Sequence, residues 1–249
     1  MKRLEVLFSP AEFQALGKRD LTHATCVVFD ILRATSSIVT ALANGAVSVQ
    51  AVETIPAALE LKKRNPGLLL AGERDGLRIR ANQTGSIDFD LGNSPREFSP
   101  DKVEGQEIAI TTTNGSRAIA ACAKAKEVVI GSFLNLSAVA AHISVAQELL
   151  IVCSGTHEEA SYEDTLAAGA LSEMIWSGFD SSEIADSAQI AQVIKKAAGN
   201  NLLAAMQHAR NGRRLLGIPE LREDVAICLQ RDVIHHVPLL DAQGKIRIR

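Results

Sequence analysis

The chain has 249 residues, 47% apolar and 22% charged, the balance of a globular protein with a proper core. A net charge of -3, an aromatic content of 4% and no basic stretch beyond Arg210–Arg214 argue against a nucleic-acid-binding surface. That basic run reads as a solvated helix end.

Short β-branched runs read as strands and longer Ala/Leu runs as helices. In chain order the sequence predicts strands at Leu4–Phe8 and Cys26–Phe29, a helix over Ser36–Ala43, a strand at Val47–Val52 and a helix over Pro56–Arg64. Strands follow at Leu68–Ala71 and Glu107–Ile110, then a helix over Ser116–Ala123 and a strand at Val128–Ile130. A helix over Ser137–Ala146 precedes a strand at Leu149–Cys153. Helices over Tyr162–Trp176, Ser182–Ala198 and Glu220–Leu229 make the last third almost wholly helical. Val233–His236 and Lys245–Ile248, separated by Asp241–Gly244, form a hairpin candidate. Thr35, Asn114 or Gly115, Asn135, Ser161 and Ser181 are the expected N-caps.

This alternation predicts an α/β chain with three α/β/α layers and a parallel or mixed sheet covered on both faces. Without gaps, Thr35–Ala58 lies over Ser116–Val139, pairing Ile38 with Ile119 and Val49 with Ile130. The pattern fits two related βα halves, about residues 1–100 and 101–249, within one catalytic unit spanning 1–249. Any two βα units share such a pattern, and superposition decides between the readings.

The apolar runs are too short to span a bilayer, and the N-terminus lacks the features of a signal peptide. Cys26, Cys122, Cys153 and Cys228 are widely spaced without a C-x-x-C pair, as expected of buried thiols in a reducing compartment. A cytoplasmic protein with no membrane and no nucleic-acid partner is the expectation. The Ala/Leu content of Ser182–Ala198 would allow a homodimer, and packing within the chain explains it equally well.

Polar segments follow four of the predicted strands: Asp30–Thr35, Gly72–Gly76, Thr111–Arg117 and Ser154–His157. If those strands are parallel, the four loops meet at one sheet edge, where open α/β sheets bind ligands. Thr113–Arg117 offers hydroxyls and helix-start amides to an anion. Arg33, Arg74 or Arg117 would add a bidentate fork. Asp30, Glu73 and Asp75 are the hard oxygen ligands that Mg²⁺ prefers. Asp164 and Asp224 border the buried faces of their helices, where an ionised carboxylate needs a partner or a metal. For Asp224 an ion pair with Arg222 or Arg231 is the alternative. Histidines are scattered without zinc-ligand spacing.

Asp30-Ile-Leu-Arg33-Ala-Thr35, Gly72-Glu73-Arg74, Gly92-Asn93-Ser94-Pro95, Thr112–Arg117, Glu163-Asp164 and Asp224-Val225 occur in an order that resembles the 2-phosphosulfolactate phosphatase family, from about Val6 to Asp232. The resemblance implies a Mg²⁺-dependent phosphatase with an α/β/α fold. Such an enzyme converts 2-phospho-3-sulfolactate to 3-sulfolactate and phosphate, a step towards coenzyme M. Leu32, two after Asp30, rules out the D-x-D pattern of other aspartate phosphatases, and Glu159 stands where a Cys153 nucleophile would need Arg.

The site expected from these residues has Mg²⁺ held by Asp30 with Glu73, Glu163, Asp164 or Asp224. Arg33, Asn114 and Arg117 serve catalysis, while Thr35, Arg74, Thr112, Thr113, Gly115 and Ser116 bind the small phosphorylated acid. The attacking group is either water or the Asp30 carboxylate. The same loops would also serve a non-catalytic carrier of a small dianion, or a phosphatase or lyase acting on another phosphorylated hydroxy acid.

Overall fold

A computed structural model describes residues 3–248. Its strands are β1 Arg3–Leu7, β2 Ala24–Phe29, β3 Ser48–Ala51, β4 Leu69–Arg74, β5 Leu77–Arg78, β6 Glu107–Thr111, β7 Glu127–Gly131, β8 Glu148–Cys153, β9 Pro238–Leu240 and β10 Ile246–Ile248. Its helices are α1 Pro10–Gln14, α2 Ala34–Ala43, α3 Ile55–Arg64, α4 Ala81–Thr84, α5 Pro100–Val103, α6 Gly115–Ala121, α7 Leu136–His142, α8 Tyr162–Ile175, α9 Asp186–Ala198, α10 Leu202–Ala205, α11 Arg210–Leu216 and α12 Arg222–Cys228.

The strands form one mixed sheet in the order β1-β8-β2-β7-β9-β10-β3-β6-β4-β5. β1, β8, β2 and β7 are parallel to one another, and so are β3, β6 and β4. Between the two sets the β9–β10 hairpin pairs antiparallel with β7 and with β3. The two parallel sets therefore run in opposite directions. The expectation of one edge shared by four parallel strands is corrected here, since the sheet reverses at the hairpin.

The connectivity β2–α2–β3–α3–β4 repeats as β6–α6–β7–α7–β8. Each unit's first strand is clasped by the other unit: β2 lies between β7 and β8, and β6 between β3 and β4. Strands of the two sequence halves thus alternate within each parallel set, and α2 and α6 both cross from one set to the other.

β2 and β8 are almost continuous apolar runs because both faces of the sheet are covered there. Their alternate residues enter two cores. Val27, Phe29, Leu149 and Ile151 pack under α7, α8, α9 and α12. Cys26, Val28, Leu150 and Val152 pack under α2 and α6. Cys26, Cys122, Cys153 and Cys228 are buried and form no disulfide. Among the described residues no helix is long and apolar enough to cross a membrane.

Three local expectations are corrected. The helix expected from Ser182 starts at Asp186, with Ala185 as its N-cap. Ser181–Glu183 instead forms a 3₁₀ turn, in which the Asp180 carboxylate accepts from the Ser182 amide at 2.9 Å. The first hairpin strand lies at Pro238–Leu240, not Val233–His236. The amide of Ile234 is used by the Leu134 carbonyl and the carbonyl of His236 by Asn135. Thr35 is not an N-cap, because α2 already starts at Ala34.

Candidate active site

One polar pocket forms where the loops after β2, β4, β6 and β8 meet, and it includes Asp30, Arg33, Glu73, Thr112, Thr113, Asn114 and His157. Reversal of the sheet does not separate these loops, because the starts of α2 and α6 touch. A Cβ on Gly115 would lie 2.6 Å from Asp30 Oδ2 and 2.7 Å from Ala34 Cβ.

Asp30 sits at the start of α2, its Oδ1 accepting from the Ala34 amide at 3.1 Å. Thr35 fixes its backbone: the Thr35 hydroxyl accepts from the Asp30 amide and donates to its carbonyl, both at 3.0 Å. Burial raises the Asp30 carboxyl to about 6, the Glu73 carboxylate adding to the rise while Arg33 and hydrogen bonds oppose it.

Asp164 joins the loops after β2 and β8. It accepts from the Ile31 amide at 2.8 Å, the Ser154 hydroxyl at 3.1 Å and the Gly155 amide at 3.2 Å. Burial, then Asp30 and Glu163, push this carboxyl well above its ordinary range. Glu163 is raised by burial and by Asp30. Its Oε1 accepts from Asn211 at 2.8 Å, whereas the buried Oε2 has no hydrogen-bond partner.

Glu73 braces the loops after β4 and β6: Oε1 accepts from the amide and hydroxyl of Thr113, both at 2.9 Å, and Oε2 from the Gly76 amide at 2.7 Å. Asn114 Nδ2 donates to the carbonyls of Ser154 at 3.1 Å and His157 at 2.8 Å, which leaves its buried Oδ1 without a partner. Ser116 accepts from the Thr112 amide at 3.1 Å, closing the turn on itself.

Arg33 is buried, donating Nη1 to Asp224 Oδ2 and Nη2 to the Gly76 carbonyl, each at 2.6 Å. Asp224 Oδ1 accepts from Ser94 at 2.7 Å and from Arg96 Nε at 2.8 Å. Asp224, expected among the metal ligands, thus spends both oxygens on Arg33, Ser94 and Arg96; its partners are neither Arg222 nor Arg231. Arg74 bonds the Glu73 carbonyl and Thr111 and borders a separate groove beside α3. Arg117 pairs with Glu158 at 2.9 Å. Neither arginine lines the pocket, nor do Thr35, Gly115, Ser116, Glu163 or Asp164, which support it from behind.

Asn211 and Arg214 of α11 do line it. They belong to the run read from sequence as a solvated helix end; Arg214 is indeed exposed, and what that reading missed is that the pocket opens beside it. Their only signal is the i, i+3 spacing beside Leu215, which the structure buries.

Among the described residues no three His, Cys, Asp or Glu side chains are grouped to enclose a metal unaided. Mg²⁺ needs less, because it keeps several waters and takes one or two carboxylates beside substrate phosphate. Asp30, half-buried in the pocket lining, and Glu163, buried behind it, fit such an open site: the Asp30 charge raises Glu163, and Glu163 Oε2 lacks a partner.

A family model described as 2-phosphosulpholactate phosphatase matches residues 12–243. A protein of Caldanaerobacter subterraneus subsp. tengcongensis named probable 2-phosphosulfolactate phosphatase is 42% identical over 233 residues, covering 92% of this chain and 92% of its own. Proteins of the same name from Thermotoga petrophila and Clostridium acetobutylicum are 38% and 36% identical, covering 87% and 90% of this chain and 88% and 92% of theirs.

Proposed function

The chain belongs to the 2-phosphosulfolactate phosphatase family, and from that premise we propose that it hydrolyses 2-phospho-3-sulfolactate to 3-sulfolactate and phosphate with Mg²⁺ bound. The observation that carries the proposal is the placement of Asp30, a half-buried carboxyl that lines one polar pocket together with Arg33 and the Thr112–Asn114 loop.

Phosphoryl transfer asks mainly for positioning and for charge stabilisation on the phosphoryl oxygens. Arg33 supplies a guanidinium already aimed by Asp224 and Gly76, so little is lost in ordering it when a phosphate arrives. Asp30 and Glu163 would hold Mg²⁺, which supplies further neutralisation of phosphate charge. Glu73 keeps the β4 and β6 loops at a fixed separation, and Asp164 does the same for the β2 and β8 loops. With a carboxyl near 6, Asp30 is mostly ionised at neutral pH, in the state that binds a cation or attacks phosphorus.

Phosphate release from 2-phosphosulfolactate, phospholactate and phosphoglycolate, with and without Mg²⁺, tests the proposal. Mg²⁺-dependent release is expected, fastest on 2-phosphosulfolactate. Binding without release would identify a carrier, and a product other than phosphate plus alcohol would identify a lyase. Trapping with hydroxylamine during turnover separates the two attackers: a hydroxamate forms at Asp30 only if that carboxylate attacks phosphorus and becomes an acyl-phosphate.

A further inference from the structure

Of the three arginines in the Arg210–Arg214 run, the structure turns one into the pocket. Arg210 pairs with Glu159, and Arg213 donates to the His208 carbonyl at 2.7 Å. Arg214 lines the pocket together with Asn211 and Leu215. Asn211 fixes this face of α11, donating to Thr156 Oγ1 and Glu163 Oε1, both at 2.8 Å. The buried Leu215 anchors the same helix in the core.

Arg214 and Arg33 flank one glycine. A Cβ on Gly76 would lie 3.8 Å from Arg214 Nη2 and 4.0 Å from Arg33 Nη2. The two guanidiniums differ in how their charge is met. Arg33 is matched inside the protein by Asp224 at 2.6 Å. Arg214 donates to the Asp75 carbonyl and has an ion-pair partner in Asp75 Oδ1 at 3.9 Å, a side chain that is 86% exposed. A long pair with an exposed carboxylate is weak, so the charge of Arg214 remains available to a ligand.

We propose that Arg214 is a specificity-determining residue, which binds the second acid group of the substrate, a carboxylate or a sulfonate, while the phosphate lies at Asp30 and Arg33. This rests on the phosphatase reading above. A guanidinium fork suits either oxyanion, since both offer paired oxygens to parallel N–H donors. An alkyl tail finds little here, for Leu32 and Leu215 are the only side chains of the lining that are wholly hydrocarbon apart from threonine methyls.

Steady-state kinetics of the Mg²⁺-loaded enzyme and of Arg214→Gln on 2-phosphosulfolactate, phospholactate and ethyl phosphate test this. Loss of a charge-assisted bond should raise KM on the acid-bearing esters roughly tenfold to a hundredfold with kcat little changed. The ratio of kcat/KM between an acid-bearing ester and ethyl phosphate should fall by the same factor. Arg214→Lys should keep part of the preference, because charge remains but the fork is lost. The two acid-bearing esters separate the oxyanions: a KM penalty seen only with 2-phosphosulfolactate assigns Arg214 to the sulfonate, and one seen with both assigns it to the carboxylate. Equal losses on all three esters, or a loss confined to kcat, would overturn the proposal and leave Arg214 as a brace for the β4–β5 turn. A wild-type enzyme that releases phosphate from none of them would instead sink the phosphatase reading itself.

Discussion

Arg33 and Asp224 stand 191 residues apart in sequence, yet form a buried ion pair of 2.6 Å. The pair ties the start of α2 to α12, and through Ser94 and Arg96 it also holds the segment before α5. Asp224→Ala should cost about 3–5 kcal/mol, since it strands a guanidinium in the interior; urea unfolding measures it. Asp224→Asn should be milder and should keep the rise in Tm on adding Mg²⁺. A folded Asp224→Asn protein without that rise would return Asp224 to the metal site.

Arg33→Lys removes a planar donor that reaches Asp224 and the Gly76 carbonyl at once. A lysine offers a point charge on a flexible stem and cannot keep both bonds in place. The expected result is a fall in kcat/KM of at least about tenfold, the factor that corresponds to ~1.4 kcal/mol. Unchanged kinetics would remove Arg33 from the pocket's chemistry.

Burial holds the Asp30 carboxyl at about 6, against an ordinary value of 3.8. The folded, metal-free protein therefore favours the protonated form. That contribution to stability is fully present below pH 3.8 and is lost as pH rises through about 6. Glu163 and Asp164 shift in the same direction. Mg²⁺ competes with these protons, so the increase in Tm that it produces should be small at acidic pH and larger above neutrality. Thermal melts across that range, with and without Mg²⁺, check it. An increase independent of pH would place the cation away from these carboxyls.

Gly115 has no room for a side chain, since a Cβ would press on both Asp30 and Ala34. Gly115→Ala must push α6 away from α2 or turn the Asp30 carboxyl aside. A loss of about 1–3 kcal/mol is expected from the overpacking alone. Turnover should fall further than stability does, because the displaced group is the one at the centre of the site. Normal turnover in a folded Gly115→Ala protein would show that Asp30 tolerates displacement.

Most of the fold was legible because buried strands such as β2 and β8 announce themselves as apolar runs between capped Ala-rich helices. Asn114, Asn135 and Ser161 stand at the expected N-caps, and the Ser161 hydroxyl does accept from the Asp164 amide. The reversal of the sheet was not legible. It depends on a three-residue strand at Pro238–Leu240, whose pairing is decided by tertiary contacts rather than by its own pattern. Asp30, Thr112, Thr113 and Asn114 could be found because each follows a strand, and Glu73 because it stands at the end of one. Asn211 and Arg214 could not: they come from a seven-residue helix far along the chain, and three arginines in five positions read as surface. Asp224 was rightly singled out as a buried acid, but its partner Arg33 belongs to a distant segment that no local spacing reveals.

Asp30 is the group at the centre of the proposed phosphatase site. Phosphate release from 2-phosphosulfolactate by the wild-type protein and by Asp30→Asn, both with Mg²⁺, is the measurement. The prediction is a fall of about 10²–10³ or more in kcat, the loss typical of one preorganised charge-stabilising group. Because asparagine keeps the oxygen that caps the Ala34 amide and removes a half-buried charge, the variant should fold at least as stably as the parent when Mg²⁺ is withheld. A stably folded Asp30→Asn protein that turns over at close to the wild-type rate would contradict the assignment of this pocket as the phosphatase centre.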